Sequence, residues 1–406
     1  MPASSPESSP SAARNLYVFG ITSFLNDTAS EMAYWVLPAF LASLGAGPAQ
    51  LGLVEGIAES VASFAKLFSG YLTDRISRRK PLVVAGYVVA NAVKPALAVV
   101  TAWWQVLPIR FVDRLAKGVR GAPRDVMVAE SVEANRLGSA YGLIQSMDSA
   151  VAIAGPLTAL VLLTRYGTRG VFWGAAIPGA LCVLVALFGI RETGRRAELR
   201  KKAGAQDAGL SLFGGPKLSG KFCFVLVAVT LFSLGNSSDM FLVMRAENIG
   251  IPVSLAPVLG LVFNITYTLG SWPAGWVSDR FSRRGLSRKW IAAAGYLIFA
   301  VVYFVFGRAP SALAIWFSMA IYGVYYALTQ PVLKALVVES VSEDVRGRAL
   351  GIYFFVTSIA TLAASLITGE LWKHYGGTVP FYLSAGLAVV AAVLLLLKPA
   401  QKNSRS

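Results

Sequence analysis

Between residues 105 and 128, Arg110, Asp113, Arg114, Lys117, Arg120, Arg124 and Asp125 interrupt a run of Val, Leu, Ile, Phe and Ala. At about 100° per residue on a helix these charges fall within an arc of about 140°, opposite an apolar side. In so apolar a segment a charge must face a partner or a watery cavity. Arg110, Arg114 and Lys117 are expected to line a central cavity and hold an anionic or carboxylate-bearing solute. Arg120, Arg124 and Asp125 are expected in salt bridges at the end of the segment.

A second set of residues could carry protons. Asp27, Glu31 and Tyr34 share one helical face, and Glu55, Glu59 and Lys66 share another. A carboxylate withdrawn from water can take up and release a proton near neutral pH. Asp27 and Glu31 are the leading carriers, with Glu59 and Asp239 behind them, and Glu55 reads as solvated. The alternative is that each acid is permanently paired with a cation of the 105–128 segment. Lys94 and Asp148 are expected as structural partners. Tyr322, Tyr325, Tyr326 and Gln330, joined by Asn236, form an aromatic and amide surface suited to a planar, drug-like solute.

Enzymatic chemistry lacks its parts. His374 is the single histidine, Cys182 and Cys223 sit in or beside apolar runs, and no Gly-x-x-x-x-Gly-Lys-Ser/Thr or His-Glu-x-x-His pattern occurs. No enzyme activity and no cofactor are expected. No metal site is expected either, although Asn236, Met240 and Met244 at i, i+4 and i+8 keep a Cu(I) alternative open, since thioethers are soft ligands. Methionines in apolar helices usually pack.

The elements that position these residues follow from composition. Hydrophobic residues make up 55% of the 406, charged residues 14%, and the mean hydropathy is +0.60. Stretches of about 20 apolar residues recur throughout, each long enough to cross a hydrocarbon layer about 30 Å thick. A β-barrel would show alternating segments of about ten residues instead. The fold class is therefore an all-α polytopic membrane protein with about twelve spans, near 16–43, 50–73, 81–102, 105–128, 138–163, 169–190, 222–245, 253–277, 288–307, 311–335, 348–370 and 378–397. Lys and Arg, which give a net charge of +16, concentrate in the loops at 74–80, 191–221 and 279–289 and in the C-terminal tail. That placement speaks for a cytoplasmic face and against nucleic acid. Both termini are expected in the cytoplasm of a bacterial inner membrane. Residues 1–15 and 398–406 read as tails, 16–190 and 222–397 as two six-helix halves, and 191–221 as a linker. The chain is read as a monomer whose partners are a small-molecule substrate, protons and the lipid bilayer.

Two halves are implied by recurrence. Gly70-Tyr71-Leu72-Thr73-Asp74-Arg75-Ile76-Ser77-Arg78-Arg79 returns as Gly275-Trp276-Val277-Ser278-Asp279-Arg280-Phe281-Ser282-Arg283-Arg284. Ser30-Glu31-Met32 returns as Ser238-Asp239-Met240, Glu130-Ser131-Val132 as Glu339-Ser340-Val341, and Arg136–Gly142 as Arg346–Gly351. Glycines Gly70 and Gly275 should allow close helix approach. Asp74 is expected at the start of span 11 near Arg346, and Asp279 at the start of span 5 near Arg136, where exposed N–H groups and the helix dipole favour a carboxylate. Arg75 and Arg280 complete these two gating latches. Arg78, Arg79, Lys80, Arg283 and Arg284 are expected to anchor on anionic lipid, with Arg78 also read as part of the gate.

Twelve spans in two halves, with Gly70-x-Leu72-x-Asp74-Arg75-x-x-Arg78-Arg79 between the second and third, resemble the Major Facilitator Superfamily. Arg114-x-x-Lys117-Gly118-x-x-Gly121 is similar to its span 4 motif, and Gly155-Pro156 to the Gly-Pro motif of drug/proton antiporters. Lys117 departs from the usual amide, and Ala159 and Leu160 from the usual glycines. The resemblance implies secondary active transport by alternating access, the halves rocking about a midplane site, with proton coupling and efflux. Met240-Phe241-x-x-Met244 is similar to the pattern of a copper-importing branch, without that branch's histidine. A non-transporting receptor or sensor is the alternative of another class.

Overall fold

A computed structural model describes residues 10–46, 48–76, 78–193, 218–252, 255–308 and 311–397. Residues 1–9, most of the expected linker and the C-terminal tail lie outside them. The molecule is a twelve-span, all-helical structure in two six-helix bundles. In the first, the spans are Pro10–Ser43, Pro48–Arg75, Lys80–Val93, Val106–Glu130 and the long element Leu137–Gly189, which carries spans 5 and 6. In the second they are Gly220–Ser233 continuing as Met240–Asn248, then Ala256–Arg283, Lys289–Arg308, Ala312–Glu339, Arg346–Tyr375 and Thr378–Leu396.

Local chemistry explains the departures from regular helix. Span 1 starts at Pro10 instead of near 16 because Asn15 clamps it to the end of span 6. Its amide donates to the Arg191 carbonyl and accepts from the Arg191 N–H, both at 2.9 Å. Span 3 tightens into a 3-10 turn over Lys94–Val99, where Pro95 supplies no N–H. Spans 5 and 6 bend at Gly167, whose φ of 67° suits glycine alone. Span 7 breaks between Ser233 and Met240 at Gly-Asn-Ser-Ser-Asp, residues that favour turns over helix.

The bundles meet where span 2 packs on span 11 and span 5 on span 8. Both seams are backbone against backbone. A Cβ at Gly70 would lie 2.5 Å from the Gly347 carbonyl oxygen and 2.8 Å from the Gly351 Cα. In the other seam, a Cβ at Gly142 would lie 2.5 Å from the Ser271 carbonyl oxygen, and Gly275 abuts Gly138 in the same way. Such small-residue contacts let helices approach in lipid, where no hydrophobic force pulls them together.

Each seam is latched at its basic end as the duplication implies. Asp74 accepts from the N–H groups of Gly347 and Arg348 at 2.8 and 2.7 Å, and Asp279 from those of Gly138 and Ser139 at 2.8 and 2.7 Å. These are first-turn N–H groups with no partner inside their own helices. Of the arginines expected in the gate, Arg78, Arg136 and Arg280 are exposed, Arg280 lying over the Trp276 ring at 5.6 Å. Arg346 pairs locally with Glu343 at 3.5 Å, and Arg75 is half-buried at the end of span 2.

One lipid-anchor expectation is overturned. Arg79 is 1% exposed and holds both oxygens of Glu130 at 2.7 Å. Its counterpart is Arg288, also buried, which reaches Glu339 at 2.8 Å, Asp279 at 2.6 Å and Ser278 at 2.7 Å. Both arginines stand 51 residues before their glutamates. The second loop is longer, so Arg284, which matches Arg79 by counting, is exposed.

Two outcomes follow from this packing. Gly70→Ala should lower stability by about 1–3 kcal/mol through overpacking, while Gly260→Ala, with nothing within 4 Å of the added Cβ, should not. Equal unfolding midpoints in detergent would refute the backbone seam. For the latches, Ala349→Cys, buried beside Arg348, in a background with Cys182 and Cys223 replaced by Ala, should resist alkylation. Adding Asp74→Asn and Asp279→Asn should speed its reaction at least about tenfold, the ratio for a 1.4 kcal/mol shift in the closed state. An unchanged rate would show that the aspartates do not hold the end shut.

Candidate functional site

Span 4 brings its charged face against acids and bases of its neighbours. Asp113 is buried between Lys94 at 3.4 Å and Arg110 at 3.6 Å. Arg120 lies 3.9 Å from Asp27 and stacks over the Tyr87 ring at 4.5 Å. Arg124 holds Asp125 at 3.0 Å, donates to Ser23 at 2.6 Å and lies 3.9 Å from Asp148. Lys334, from span 10 of the other bundle, comes within 3.9 Å of Asp125. A chain of amides ties the set together: Lys94 donates to Asn91 at 3.2 Å, Asn91 to Asn26 at 3.1 Å, and Asn26 to Asp27 at 2.8 Å. Pairing offsets the several kcal/mol that each isolated ion would lose on leaving water.

Arg120, Arg124 and Asp125 thus form the salt bridges expected of them, and Asp125 adds a link between bundles. Arg110 differs from expectation, being buried against Asp113. Arg114 and Lys117 are half-buried on the same face. Glu31 packs its side chain over Gly155, where an added Cβ would come within 2.5 Å of the Glu31 Cβ. The Glu59 side chain lies outside the described residues.

A cavity of 580 Å³ lies at the bundle seam among spans 2, 7, 10 and 11. Span 2 contributes Ser60, Ser63 and Phe64. Phe232, Ser233 and Asn236 come from span 7, Tyr325, Tyr326, Thr329 and Gln330 from span 10, and Tyr353, Phe354 and Thr357 from span 11. Asn236, Tyr325, Tyr326 and Gln330 therefore meet in one place. Arg110, Arg114 and Lys117 are not among the described lining residues. Tyr322 is fully buried behind the wall and donates its hydroxyl to Asp239 at 2.7 Å, and the Tyr326 hydroxyl reaches the same oxygen at 3.5 Å.

The break in span 7 makes this arrangement possible. It turns Asn236 to the cavity and Asp239 to the tyrosines, and Ser365 caps the freed Ser238 N–H at 3.0 Å. It also dissolves the expected stripe, because Asn236 is not on the helix that carries Met240 and Met244. Met244 is 43% exposed, and the Met240 side chain lies outside the described residues. The Gly-Asn-Ser-Ser-Asp run was the signal for the break; counting at 3.6 residues per turn passed over it.

The arrangement has known counterparts. The sequence profile of the Major Facilitator Superfamily matches residues 19–284 and 223–406. An uncharacterised MFS-type transporter of Methanocaldococcus jannaschii is 32% identical over 393 residues, covering 94% of both chains. The multidrug resistance protein MdtG of Escherichia coli is 24% identical over 386 residues, 94% of this chain and 93% of its own. Among solved structures, the human organic anion transporter MFSD10 superposes with a TM-score of 0.76 at 18% identity, over 95% of this chain and 100% of that one. The E. coli fucose:proton symporter FucP follows at 0.73 and 12%, over 96% and 100%. At these identities the structures share a fold. With the profile spanning both bundles and a full-length relative at 32% identity, this chain belongs to the Major Facilitator Superfamily of polytopic membrane transporters.

Proposed function

We propose that the chain is a proton-coupled secondary transporter that moves a small organic solute by alternating access, in the direction of export. The observation that carries this reading is the 580 Å³ cavity, walled by both bundles and set between seams that are latched at one end. A solute there would stack on Tyr325 and Tyr326 and hydrogen-bond to Asn236, Gln330, Ser60 and Ser63. Residues 16–190 and 222–397 are the rocking halves. With the basic end read as cytoplasmic, the latched arrangement is closed on that side.

Proton coupling is supported by the ion network. Asp27 and Arg120 stand 3.9 Å apart, and their neighbours run through Arg124 and Asp125 to Lys334 in the other bundle. Protonating Asp27 would remove one anion from this chain, leave Arg120 to seek another partner, and alter the balance at the link between bundles. Export is supported by Gly155-Pro156, against which Glu31 packs, and by the likeness to a multidrug resistance protein. The Cu(I) alternative gains no such support, since Met244 is exposed and not among the described lining residues.

Counterflow in proteoliposomes tests the reading. A labelled solute found by thermal-shift screening, which reports ligands that bind the folded state, should exchange across the membrane and accumulate against a pH gradient. Tyr326→Ala should cut flux at least about tenfold, as expected for losing roughly 1.4 kcal/mol of stacking. Asp27→Asn should weaken the response to the gradient while counterflow persists. Binding without exchange would make the protein a receptor, and a full gradient response in Asp27→Asn would remove that residue from the coupling.

A further inference from the structure

Asp239 differs from the other described membrane aspartates in what neutralises it. Asp27 faces Arg120, Asp113 faces Lys94 and Arg110, Asp125 faces Arg124 and Lys334, and Asp148 faces Arg124. Asp239 has only two tyrosine hydroxyls, both on one oxygen, and among the described residues no lysine or arginine lies within ion-pair distance of it. The titratable groups that face it are Tyr322, Tyr325 and Tyr326 of span 10 and Tyr303 of span 9. From span 11, Ser365 accepts from the adjacent Ser238 N–H.

The duplication shows how this came about. The offset that carries Arg79 onto Arg288 and Glu130 onto Glu339 also carries Asp113 onto Tyr322 and Lys117 onto Tyr326. Asp239 meanwhile repeats the acid Glu31. The second bundle thus retains a carboxylate where the first has one, while tyrosines stand at the positions of Asp113 and Lys117. The rings are close-set: Tyr322 and Tyr326 are 5.2 Å apart and nearly perpendicular, Tyr325 and Tyr326 are 4.7 Å apart, and Phe263 lies 5.1 Å from Tyr326. Beside them the Asn236 amide oxygen has no hydrogen-bond partner among the described residues. Tyr326 and Asn236 both line the cavity.

A half-buried carboxylate within a membrane bundle, with no cation among its described neighbours, is neutralised from outside, by a proton or by an arriving cation. Aromatic faces and open acceptors favour a cation that is organic and weakly hydrated. We propose that Asp239, framed by Tyr322 and Tyr326, is the site at which an organic cation and a proton displace each other. When the cation enters, the carboxylic acid O–H breaks, the proton leaves to water and a carboxylate–cation pair forms. When a proton returns, the O–H re-forms and the cation is released. One carboxylate cannot hold both, so the two cross in opposite directions. This rests on the cavity as the transport site and gives the solute a charge opposite to that expected from span 4.

The test uses purified full-length protein in detergent and two probes of one shape, tetraphenylphosphonium and tetraphenylborate. The wild type should bind the phosphonium at least about tenfold more tightly than the borate. Its affinity should fall by about tenfold per pH unit on the acid limb, as for one exchanged proton, and binding there should release a proton into weak buffer. Asp239→Asn should weaken phosphonium binding at least about tenfold, abolish proton release and leave borate binding unchanged. Asp239→Glu, which keeps the acid, should preserve both, and thermal unfolding in detergent verifies that each variant is folded. Unchanged phosphonium affinity and proton release in Asp239→Asn, a preference for the borate, or a wild type that does not bind the phosphonium would each overturn the proposal. The cavity itself then still stands or falls by the Tyr326→Ala counterflow.

Discussion

An ionised side chain carried from water into hydrocarbon loses several kcal/mol unless a partner or a wet cavity receives it. That constraint orders the interior of this protein. Span 4 bears more charge than an isolated membrane helix could carry, and is stable because spans 1, 3 and 5 present Asp27, Lys94 and Asp148 to it. The pairs are not independent: Arg124 is shared between Asp125 and Asp148, and Asp113 between Lys94 and Arg110. Changing the charge of one member therefore alters the partner available to the next, which is the property a coupling network needs.

The latches apply the same constraint at the seam. Asp74 and Asp279 each meet two N–H groups of a facing helix, so opening the basic end exposes two carboxylates and four donors at once. Hydrogen bonds to charged groups contribute about 1.5–3 kcal/mol each. Even at the lower end the latches bias the conformational equilibrium by about as much as the 5.5 kcal/mol that carries a two-state system from 1:99 to 99:1. Water entering the opened seam returns part of this, so the bias is one that the ligand binding proposed above could offset. Arg288 adds a cross-brace by holding Asp279 and Glu339 together.

How much of this was legible in the sequence depends on whether main chain or side chain sets the contact. The aspartates were placed on the correct helix starts because their donors are backbone groups whose positions the duplication determines. Arg79 was misread and Arg288 passed over because their partners are glutamates reached across the fold, and because the longer second loop shifts the register. The cations of span 4 showed a face but not its neighbours: periodicity reports where Arg110 points, not that Asp113, shared with Lys94, holds it. The tyrosines of span 10 were legible as a surface, while their bond to Asp239 needed the break in span 7.

The two bundles remain alike where they meet and differ where they enclose. Glycine against backbone, aspartate on a helix start and arginine on glutamate recur in both seams. If the halves rock as proposed, both seams are worked at once, so equivalent contacts would give equivalent resistance to opening. The interior is under no such symmetry. The first bundle pairs Asp27, Asp113 and Asp148 with its own lysines and arginines, whereas the second surrounds Asp239 with aromatic rings and borders a cavity. A duplicated scaffold whose halves carried identical ion networks would satisfy every charge internally and have nothing left to offer a ligand. With Tyr322 and Tyr326 at the positions of Asp113 and Lys117, span 10 offers Asp239 hydroxyls and rings in place of a charge, and that is the position proposed above for a ligand from outside.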